Sequence, residues 1–472
     1  MADREREGHT HLMGIGGIGM SALAQVLLAR GERVSGCDLH PSALTAKLQG
    51  LGIVFAAGHD PAHISGAARL IVSDAIKPDN PELVRARELG LPVLRRSKLV
   101  GELMRDRRGI AVAGTHGKTT TTAMIGFILD RAGFDPTVLI GGELPAFGGN
   151  ARIGTGRHFV AEACEAYESF LDLEPEIAVI TNVEAEHLDH HGSEQALLRS
   201  FAAFLARVRP KGSIVFCADD PNARALIAGA SARAISYALD CDADFRAVEV
   251  EDADGGMTFT LIHPQGRTPT RLAIPGRHNV ANAAGAAAAC AVVGVSPEQS
   301  ARILESYTGV ARRFQVATTA AGVTVVDDYA HHPTEIRAVI AAARPRCPGK
   351  LVLVFQPHLF SRTRDFLDGF ADALSAADEA IVTAIYAARE EPLPGITGDS
   401  IVQALRRRGK ENARYQANKD DVAALLTRHL SDGDWVLVLG AGDIGSVAED
   451  LVAALDCGAA VETARGRPTC RG

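Results

Sequence analysis

Short apolar runs bounded by glycine and polar residues alternate with helical periodicity along most of the chain. His11–Ile15 predicts a strand, Met20–Arg30 a helix, and Arg33–Asp38 a second strand that ends in an acid. Leu70–Ser73 and Pro92–Leu94 read as further strands, with a helical pattern over Pro81–Leu89. Strands that alternate with helices build a parallel α/β sheet. The charged stretch Arg105–Arg108 breaks the pattern and reads as a linker.

The alternation then restarts. Ile110–Ala113, Phe159–Glu162, Ile177–Thr181 and Ser213–Cys217 predict strands, with a helix over Ser193–Val208. Asp242–Leu272 changes character: Thr, Val and Phe alternate around Asp254–Gly256, which predicts an antiparallel insertion. Asn279–Val293 is an Ala-rich helix whose small side chains let other elements come close. Asn279 itself suits an N-cap. Beyond Arg312 a third set appears: Val323–Asp327, Leu351–Phe355, Glu379–Thr383 and Trp435–Leu439. Gly458–Gly472 shows no periodicity and reads as a frayed tail.

Composition changes this picture only at the margins. At roughly 100–200 residues per domain, 472 residues predict about three domains. The pattern divides them as 1–107, 108–313 and 314–456, with a tail over 457–472. A net charge of -8 leaves no basic excess to grip a nucleic-acid backbone. The 8 cysteines include no Cys-x-x-Cys pair, which reads as scattered thiols in a reducing compartment. No apolar stretch is long enough for a bilayer. The expectation is a cytoplasmic protein with no membrane insertion, monomer or homodimer.

Two glycine-rich turns carry candidate chemistry. Gly14, Gly16, Gly17 and Gly19 form G-x-G-x-x-G between a strand and a helix, where backbone N–H groups can approach a diphosphate. Asp38, about 20 residues on, stands where an acid meets a ribose hydroxyl. The same fingerprint recurs at Gly440–Gly445, but the chain ends before a second acid-bearing strand can follow, so it reads as a strand-to-helix turn. The second candidate is Gly114, Thr115, His116, Gly117, Lys118, Thr119 and Thr120, after the strand Ile110–Ala113. Such a loop cradles phosphates, its lysine bridges the terminal ones, and the next hydroxyl ligates Mg²⁺. Val112 replaces the glycine of a strict Walker A motif, which disfavours a generic P-loop GTPase.

The loop Gly114–Thr120 resembles that of the Mur ligases and their folylpolyglutamate synthase relatives, which are ATP-dependent amide ligases. Gly14–Met20, Ser73–Glu82, Thr181–Asp189, Gly276–Ala283, Asp327–Glu335 and Gln356–Arg364 extend the resemblance from His11 to about Leu455 and favour the alanine-adding branch. The resemblance implies an α/β fold of three domains. These are a Rossmann-like N-terminal domain for the UDP-sugar, a central P-loop-type ATP-binding domain, and a Rossmann-like C-terminal domain. It also implies a reaction with ATP and Mg²⁺ as cofactors. L-Alanine joins the carboxylate of UDP-N-acetylmuramate through an acyl phosphate, in peptidoglycan precursor synthesis.

Residue roles follow from the same resemblance. Lys118 neutralises the β/γ-phosphates, while Thr119 and Glu162 hold Mg²⁺. His187 binds a second metal, and Glu165 either supports it or is a loop carboxylate. Asn279, with His278, contacts the adenine and phosphate end of ATP, and Asp328 grips its ribose. Arg313 reaches the γ-phosphate through a fixed, always-charged fork, with Arg312 a weaker companion. Gly14, Gly16, Gly17, Gly19, Asp38 and Ser73 serve the UDP-sugar. His332, His358 and Arg362 receive the amino acid, whose carboxylate an arginine can pair bidentately.

Two departures matter. Several Mur ligases carry a carbamylated lysine about 14–15 residues after the metal histidine, where this chain has Phe201 and Ala202; that agrees with the alanine-adding branch. Cys164 and Tyr167 stand where some alanine-adding members have acids. Three other readings are a tripeptide-adding recycling ligase, an NAD-dependent oxidoreductase built on Gly14–Gly19, and a nucleotide-sensing scaffold. The oxidoreductase leaves the Lys118 loop, Glu162 and Arg313 without purpose, and retention of Lys118, Thr119, Glu162 and His187 together opposes the scaffold.

Overall fold

A computed structural model describes residues 8–184, 191–388 and 390–465. The chain divides into two compact units, Met1–Ala273 with Asn279–Val310, and Ile274–His278 with Ala311–Gly472. The first holds two sheets and the second holds one.

The first sheet has five parallel strands, in the order Val54–Ala57, Val34–Asp38, His9–Met13, Ala67–Val72, Val93–Arg95. His9–Met13 is central and Leu12 and Met13 are fully buried, which suits a strand covered on both faces. Strand order reverses between His9–Met13 and Ala67–Val72. Open α/β sheets bind ligands beyond the strand ends at such a switch point. Gly14 and Ser73 both lie there, and a Cβ on Gly14 would stand 3.0 Å from Ser73 Oγ.

The second sheet has ten strands. Its parallel middle runs Arg233–Ala238, Ser213–Cys217, Ile177–Ile180, Arg108–Ala113, His158–Glu162, Thr137–Leu144. Phe245–Ala253 joins Arg233–Ala238 in parallel, and Gly256–His263 and Gly266–Leu272 follow antiparallel. The expected antiparallel segment is thus present, and it extends the central sheet.

One apolar core serves both sheets of this unit, joining Leu12, Leu23 and Leu27 to Phe159, Phe170, Phe201 and Phe204. Phe170 stacks on Phe204 at 4.9 Å and meets the edge of Phe201 at 5.2 Å. Truncating such a ring costs about 3–5 kcal/mol. Polar ties reinforce the join. Asn150 Nδ2 donates to Ile18 O at 2.5 Å and to Ser21 Oγ at 2.8 Å, fixing the first turn of the helix Ile18–Ala29. Helix Arg96–Arg105 lies so close to a loop that a Cβ on Gly101 would stand 2.2 Å from Asp172 O. Ser97 Oγ donates to Asp172 Oδ2 at 2.6 Å on the same face.

The second unit carries a six-stranded sheet, in the order Gln315–Thr318, Thr324–Asp328, Trp435–Leu439, Leu351–Phe355, Glu379–Val382, Ala413–Tyr415. Only the Gln315–Thr318 pairing is antiparallel. Leu351–Phe355 and Trp435–Leu439 are buried along their whole length, as apolar strands between two helical layers must be.

Three expectations need correction. Arg105 ends a helix and Arg108 opens a strand, so the linker shrinks to two residues. Arg107 within it is anchored, its Nη1 donating to Thr137 Oγ1 at 2.8 Å. The Ala-rich helix begins at Arg277, which puts Asn279 in its first turn and not at the N-cap. The helix from Gly445 runs to Arg465, past the expected tail start at Gly458, because Ala, Val, Glu and Thr there tolerate helical backbone.

Candidate active site

The loop Gly114–Thr120 leaves the strand Arg108–Ala113 and opens the helix Lys118–Arg131. Its shape is set from outside. Thr181 Oγ1 donates to His116 O at 2.6 Å and Asn182 Nδ2 donates to the same oxygen at 3.1 Å. His116 N–H donates back to Asn182 Oδ1 at 2.9 Å, and Thr115 N–H to Asn182 O at 2.9 Å. Only glycine fits two positions. Gly114 has φ +136 with Thr181 Oγ1 2.0 Å from where a Cβ would stand, and Gly117 has φ +80 with Asn282 Oδ1 at 2.6 Å. Asn282 Nδ2 in turn donates to Asn279 Oδ1 at 3.4 Å, so Asn279 belongs to the shell behind the loop.

Lys118 folds back over this loop. Its Nζ donates to Gly114 O, to Thr115 O at 3.0 Å, and to both oxygens of Glu165 at 3.0 Å. Glu165 is 1% exposed, a cost its ion pair offsets. The residues just after it are strained, Tyr167 and Glu168 having φ of 53° and 54°. The cation that would meet phosphates thus rests on a buried acid: Glu165, expected either to support a metal or to be a loop carboxylate, is the ion-pair partner of Lys118.

Glu162 ends its strand with Oε1 accepting from Gly141 N–H at 2.6 Å. A Cβ on Gly141 would stand 2.5 Å from that oxygen, and one on the adjacent Gly142 would stand 3.5 Å from Thr119 Cγ2. Two side-chainless residues thus leave room beside the carboxylate and beside the buried Thr119, both hard oxygen donors of the kind Mg²⁺ takes. Thr120 is also buried, inside the helix. His187 lies outside the described residues. Phe201 is fully buried against Phe170, so this position is core and not a modified side chain.

At the first glycine turn the carboxylate of Asp38 faces inward. Gly16 N–H donates to Asp38 Oδ2 at 2.9 Å, so the acid closes the turn it was expected to complement. A Cβ on Gly19 would stand 3.0 Å from Arg96 Nη1. Arg96 therefore brings a permanent charge to this turn. Its signal was available: an arginine directly after the strand Val93–Arg95, at the ligand end of the sheet. Gly17 precedes the helix as its N-cap residue, with no side chain to cover the free N–H groups.

The second unit groups the remaining candidates. Burial pushes Asp328 up to about 6, and its two oxygens accept from Phe314 N–H at 2.6 Å and Ala330 N–H at 2.7 Å. Arg313 lies over the Tyr329 ring at 5.1 Å. His278 is pushed down to about 4 by burial and by the charge of Arg313, so it is neutral at pH 7. Arg312 has a different task. It pairs with Asp327 at 3.2 Å and donates to Gly440 O at 2.8 Å and Gly442 O at 3.0 Å, filling the second fingerprint turn.

Arg362, 8% exposed, has Nη1 3.2 Å from His358 Nδ1. A guanidinium can only donate, so His358 accepts there and carries its proton on Nε2. Tyr386 stacks on His358 at 5.7 Å, a ring that the motifs did not flag. His332 caps the helix Pro333–Ala343, with Nδ1 accepting from Thr334 N–H at 3.3 Å, and its ring meets Phe366 at 4.7 Å. A structural role therefore stands beside the one that the resemblance implied, receiving the amino acid as a catalytic residue.

A protein that brings a nucleoside triphosphate to a second, diphosphate-bearing substrate needs two anion-binding turns in one body. The first unit carries two glycine-rich turns that each open a helix, which fits a nucleotide-dependent ligase. The chain belongs to the Mur ligase family. Residues 9–108 match the model of the Mur ligase family catalytic domain, 112–290 that of the Mur ligase middle domain, and 312–442 that of the Mur ligase glutamate ligase domain.

Among curated proteins, it is similar to the UDP-N-acetylmuramate–L-alanine ligase of Burkholderia cenocepacia, 46% identical over 453 residues, covering 94% of this chain and 97% of that one. The ligase of the same name from Xanthomonas campestris pv. campestris is 46% identical over 450 residues, covering 94% of each. Among solved structures, the UDP-N-acetylmuramate-alanine ligase of Thermotoga maritima superposes with a TM-score of 0.82 at 29% identity, covering 95% of this chain and 99% of that one. A murein peptide ligase from Psychrobacter arcticus gives 0.72 at 26% identity, with the same coverage. Among the described residues, no helix is long and apolar enough to cross a membrane.

Proposed function

We infer that this chain uses ATP to join L-alanine to the carboxylate of UDP-N-acetylmuramate, by way of an acyl phosphate. The observation that carries this is the Gly114–Thr120 loop, with Lys118 held on Glu165, in a chain 46% identical to alanine ligases over nearly its whole length. ATP is the family's phosphoryl donor.

Lys118 leaves Glu165 for the terminal phosphates, trading a buried carboxylate for a more highly charged partner. The amides of the loop and the N-terminus of the helix Lys118–Arg131 hold the phosphate oxygens. Thr119 and Glu162 are the residues that would hold Mg²⁺, which when bound neutralises charge on the transferred phosphoryl group. Gly14, Gly16, Gly17, Gly19, Ser73 and Arg96 bind the sugar diphosphate. Asp38 releases Gly16 N–H as that ligand arrives. Arg313, Asp328 and Asn279 contribute to ATP binding. His358 and Arg362 receive the amino acid, with Arg362 pairing its carboxylate. The same reading keeps the domain divisions at 107/108 and 313/314.

Phosphate release from ATP and Mg²⁺ with UDP-N-acetylmuramate tests the function, comparing L-alanine, the L-Ala-γ-D-Glu-diaminopimelate tripeptide and no amine. Release with L-alanine alone is expected. Release with the tripeptide alone would move the chain to a peptide-recycling reaction. One methyl group separates alanine from glycine, so glycine should be disfavoured by only about 1–3 kcal/mol.

A further inference from the structure

Beneath the first glycine turn lies a buried cluster that the reaction above does not use. His11 stands mid-strand in His9–Met13, Cys37 near the end of Val34–Asp38, and Glu82 in the first turn of the helix Pro81–Glu88. None is more than 1% exposed. His11 Nε2 is 3.2 Å from Glu82 Oε2, and Cys37 Sγ is 3.0 Å from the same oxygen. His59 Nδ1 is 3.3 Å from Cys37 Sγ and 3.5 Å from Glu82 Oε1. Four separate stretches of sequence thus meet here: the ligating atoms of His11, Cys37 and Glu82 lie within 4.8 Å of one another, and His59 stands at the rim against Cys37 and Glu82.

We propose that His11, Cys37, His59 and Glu82 form a tetrahedral site for a divalent transition metal of intermediate softness, Zn²⁺ foremost. One thiolate, two imidazoles and one carboxylate are a zinc set, and Mg²⁺ would not choose sulfur or nitrogen. With metal–ligand bonds of about 2.0–2.3 Å, tetrahedral neighbours stand roughly 3.3–3.7 Å apart. Four of the pairs here stand 3.0 to 3.5 Å apart, but His59 faces Glu82 Oε1 while His11 and Cys37 face Oε2, so closing the set on one ion must draw His59 inward.

The surroundings are those of a metal site. Ser35 Oγ lies 2.7 Å from His11 Nδ1, which turns the other ring nitrogen toward the centre. His63 Nδ1 lies 2.8 Å from Glu82 Oε1, which also accepts from Asp60 N–H at 3.1 Å, so the carboxylate is held through its second oxygen. Neutral imidazoles, a thiolate, a carboxylate and a divalent cation sum to zero charge, which suits a centre out of water. Binding replaces the thiol proton with the metal and releases that proton to solvent. The partly exposed His59 and His63, at 13% and 21%, mark the way in. The effect would reach the substrate turn directly, because Gly14 and Ile15 N–H both donate to Cys37 O, at 2.8 and 3.0 Å.

The test is a Co²⁺ titration of the full-length chain, stripped with chelator and free of nucleotide, followed by absorption. A thiolate-to-cobalt band in the near ultraviolet that saturates at one equivalent and is bleached by Zn²⁺ is the expected result. Co²⁺ bound by oxygen ligands alone has no such band, so the phosphate loop does not contribute. Absence of a saturable band overturns the proposal. Cys37→Ser should lose the band while keeping its far-ultraviolet circular dichroism; persistence of the band would assign it to another of the 8 cysteines and also overturn the proposal. Should Cys37→Ser not fold, His59→Ala at the rim must weaken Co²⁺ by about tenfold or more, and unchanged affinity overturns the site.

Discussion

Gly14–Gly19 and Gly440–Gly445 spell the same fingerprint and both carry a strand into a helix, yet the protein uses them differently. In the first, a Cβ on Gly19 would meet Arg96 Nη1 at 3.0 Å, and the inward acid, Asp38, holds Gly16 N–H at 2.9 Å and His40 N–H at 3.4 Å. In the second, Arg312 occupies the turn itself, bonded to the carbonyls of Gly440 and Gly442 and paired with Asp327. The glycines define a backbone path that both turns share. On the proposed function, what separates a ligand site from a structural clamp is the charged residue that a neighbouring strand or loop delivers to it. The third turn, Gly114–Thr120, shows the intermediate case, a turn that brings its own lysine and stores it on Glu165.

The largest effect should come from that stored lysine. Lys118→Ala is expected to lower kcat/KM on the order of a thousandfold, since it removes a fixed cation from developing negative charge. It should also destabilise the fold by about 3 kcal/mol, because Glu165 is left buried and unpaired. Adding Glu165→Gln should restore stability in urea denaturation without restoring phosphate release. Recovery of both, or of neither, would contradict a lysine that serves the fold at rest and phosphate in action.

The two arginines break the comparison most directly. Arg312→Ala should cost about 3 kcal/mol of stability, through a half-buried Asp327 left without its partner and two carbonyls left without donors. Affinity for the UDP-sugar should not change. Arg96→Ala should do the reverse, raising KM for UDP-N-acetylmuramate about tenfold, or 1.4 kcal/mol, with little change in the denaturation midpoint. Steady-state kinetics and urea curves on the same two variants check both halves. If Arg96→Ala unfolds the chain and leaves KM alone, both turns are clamps and the distinction fails.

Much of this was legible in the sequence, and the rest was hidden for identifiable reasons. Ser213–Cys217, Leu351–Phe355 and Trp435–Leu439 form strands at the limits that their apolar runs mark. Val54–Ala57 escapes because it is an edge strand whose Val54 is 68% exposed, so burial leaves no alternation to read. Thr137–Leu144 is obscured by Gly141 and Gly142, the residues that leave space beside Glu162 and Thr119. The phosphate loop could be read because its chemistry is local. Arg96 left a signal at its strand end, but the pairing of Glu165 with Lys118, of Arg312 with the Gly440 turn and of Tyr386 with His358 did not, since each is a fold contact that spacing does not encode.

Asp328 sharpens the reading of the second unit by titration. Burial pushes its carboxyl up to about 6, against an ordinary value near 4. The folded chain therefore holds this proton more tightly than the unfolded chain does. The stability this group contributes is fully present below about pH 4 and is lost as the pH rises through 6. Asp328→Asn cannot titrate, so the stability of wild type relative to this variant should fall by about 1 kcal/mol between pH 5 and 7.5. Paired urea curves at the two pH values measure this difference, in which the other titrating groups largely cancel. A constant difference would mean that the two backbone N–H groups on Asp328 outweigh its burial.

The smallest effect belongs to Asp38, and it bears on what the first turn does before its ligand arrives. Asp38→Asn keeps an oxygen for Gly16 N–H, so stability should change by less than about 0.5 kcal/mol. Asp38→Ala removes that acceptor at a half-buried site, which should cost about 1 kcal/mol. If the carboxylate only holds the turn until a diphosphate takes the same N–H group, Asp38→Asn should bind UDP-N-acetylmuramate at least as tightly as wild type, because a negative charge beside the phosphates is gone. If Asp38 instead swings out to a ribose hydroxyl, the asparagine variant should bind several-fold more weakly, a charge-assisted hydrogen bond having become a neutral one. Isothermal titration with the sugar nucleotide separates the two by sign, and the sign alone says whether the acid of this turn is a latch or a ligand contact.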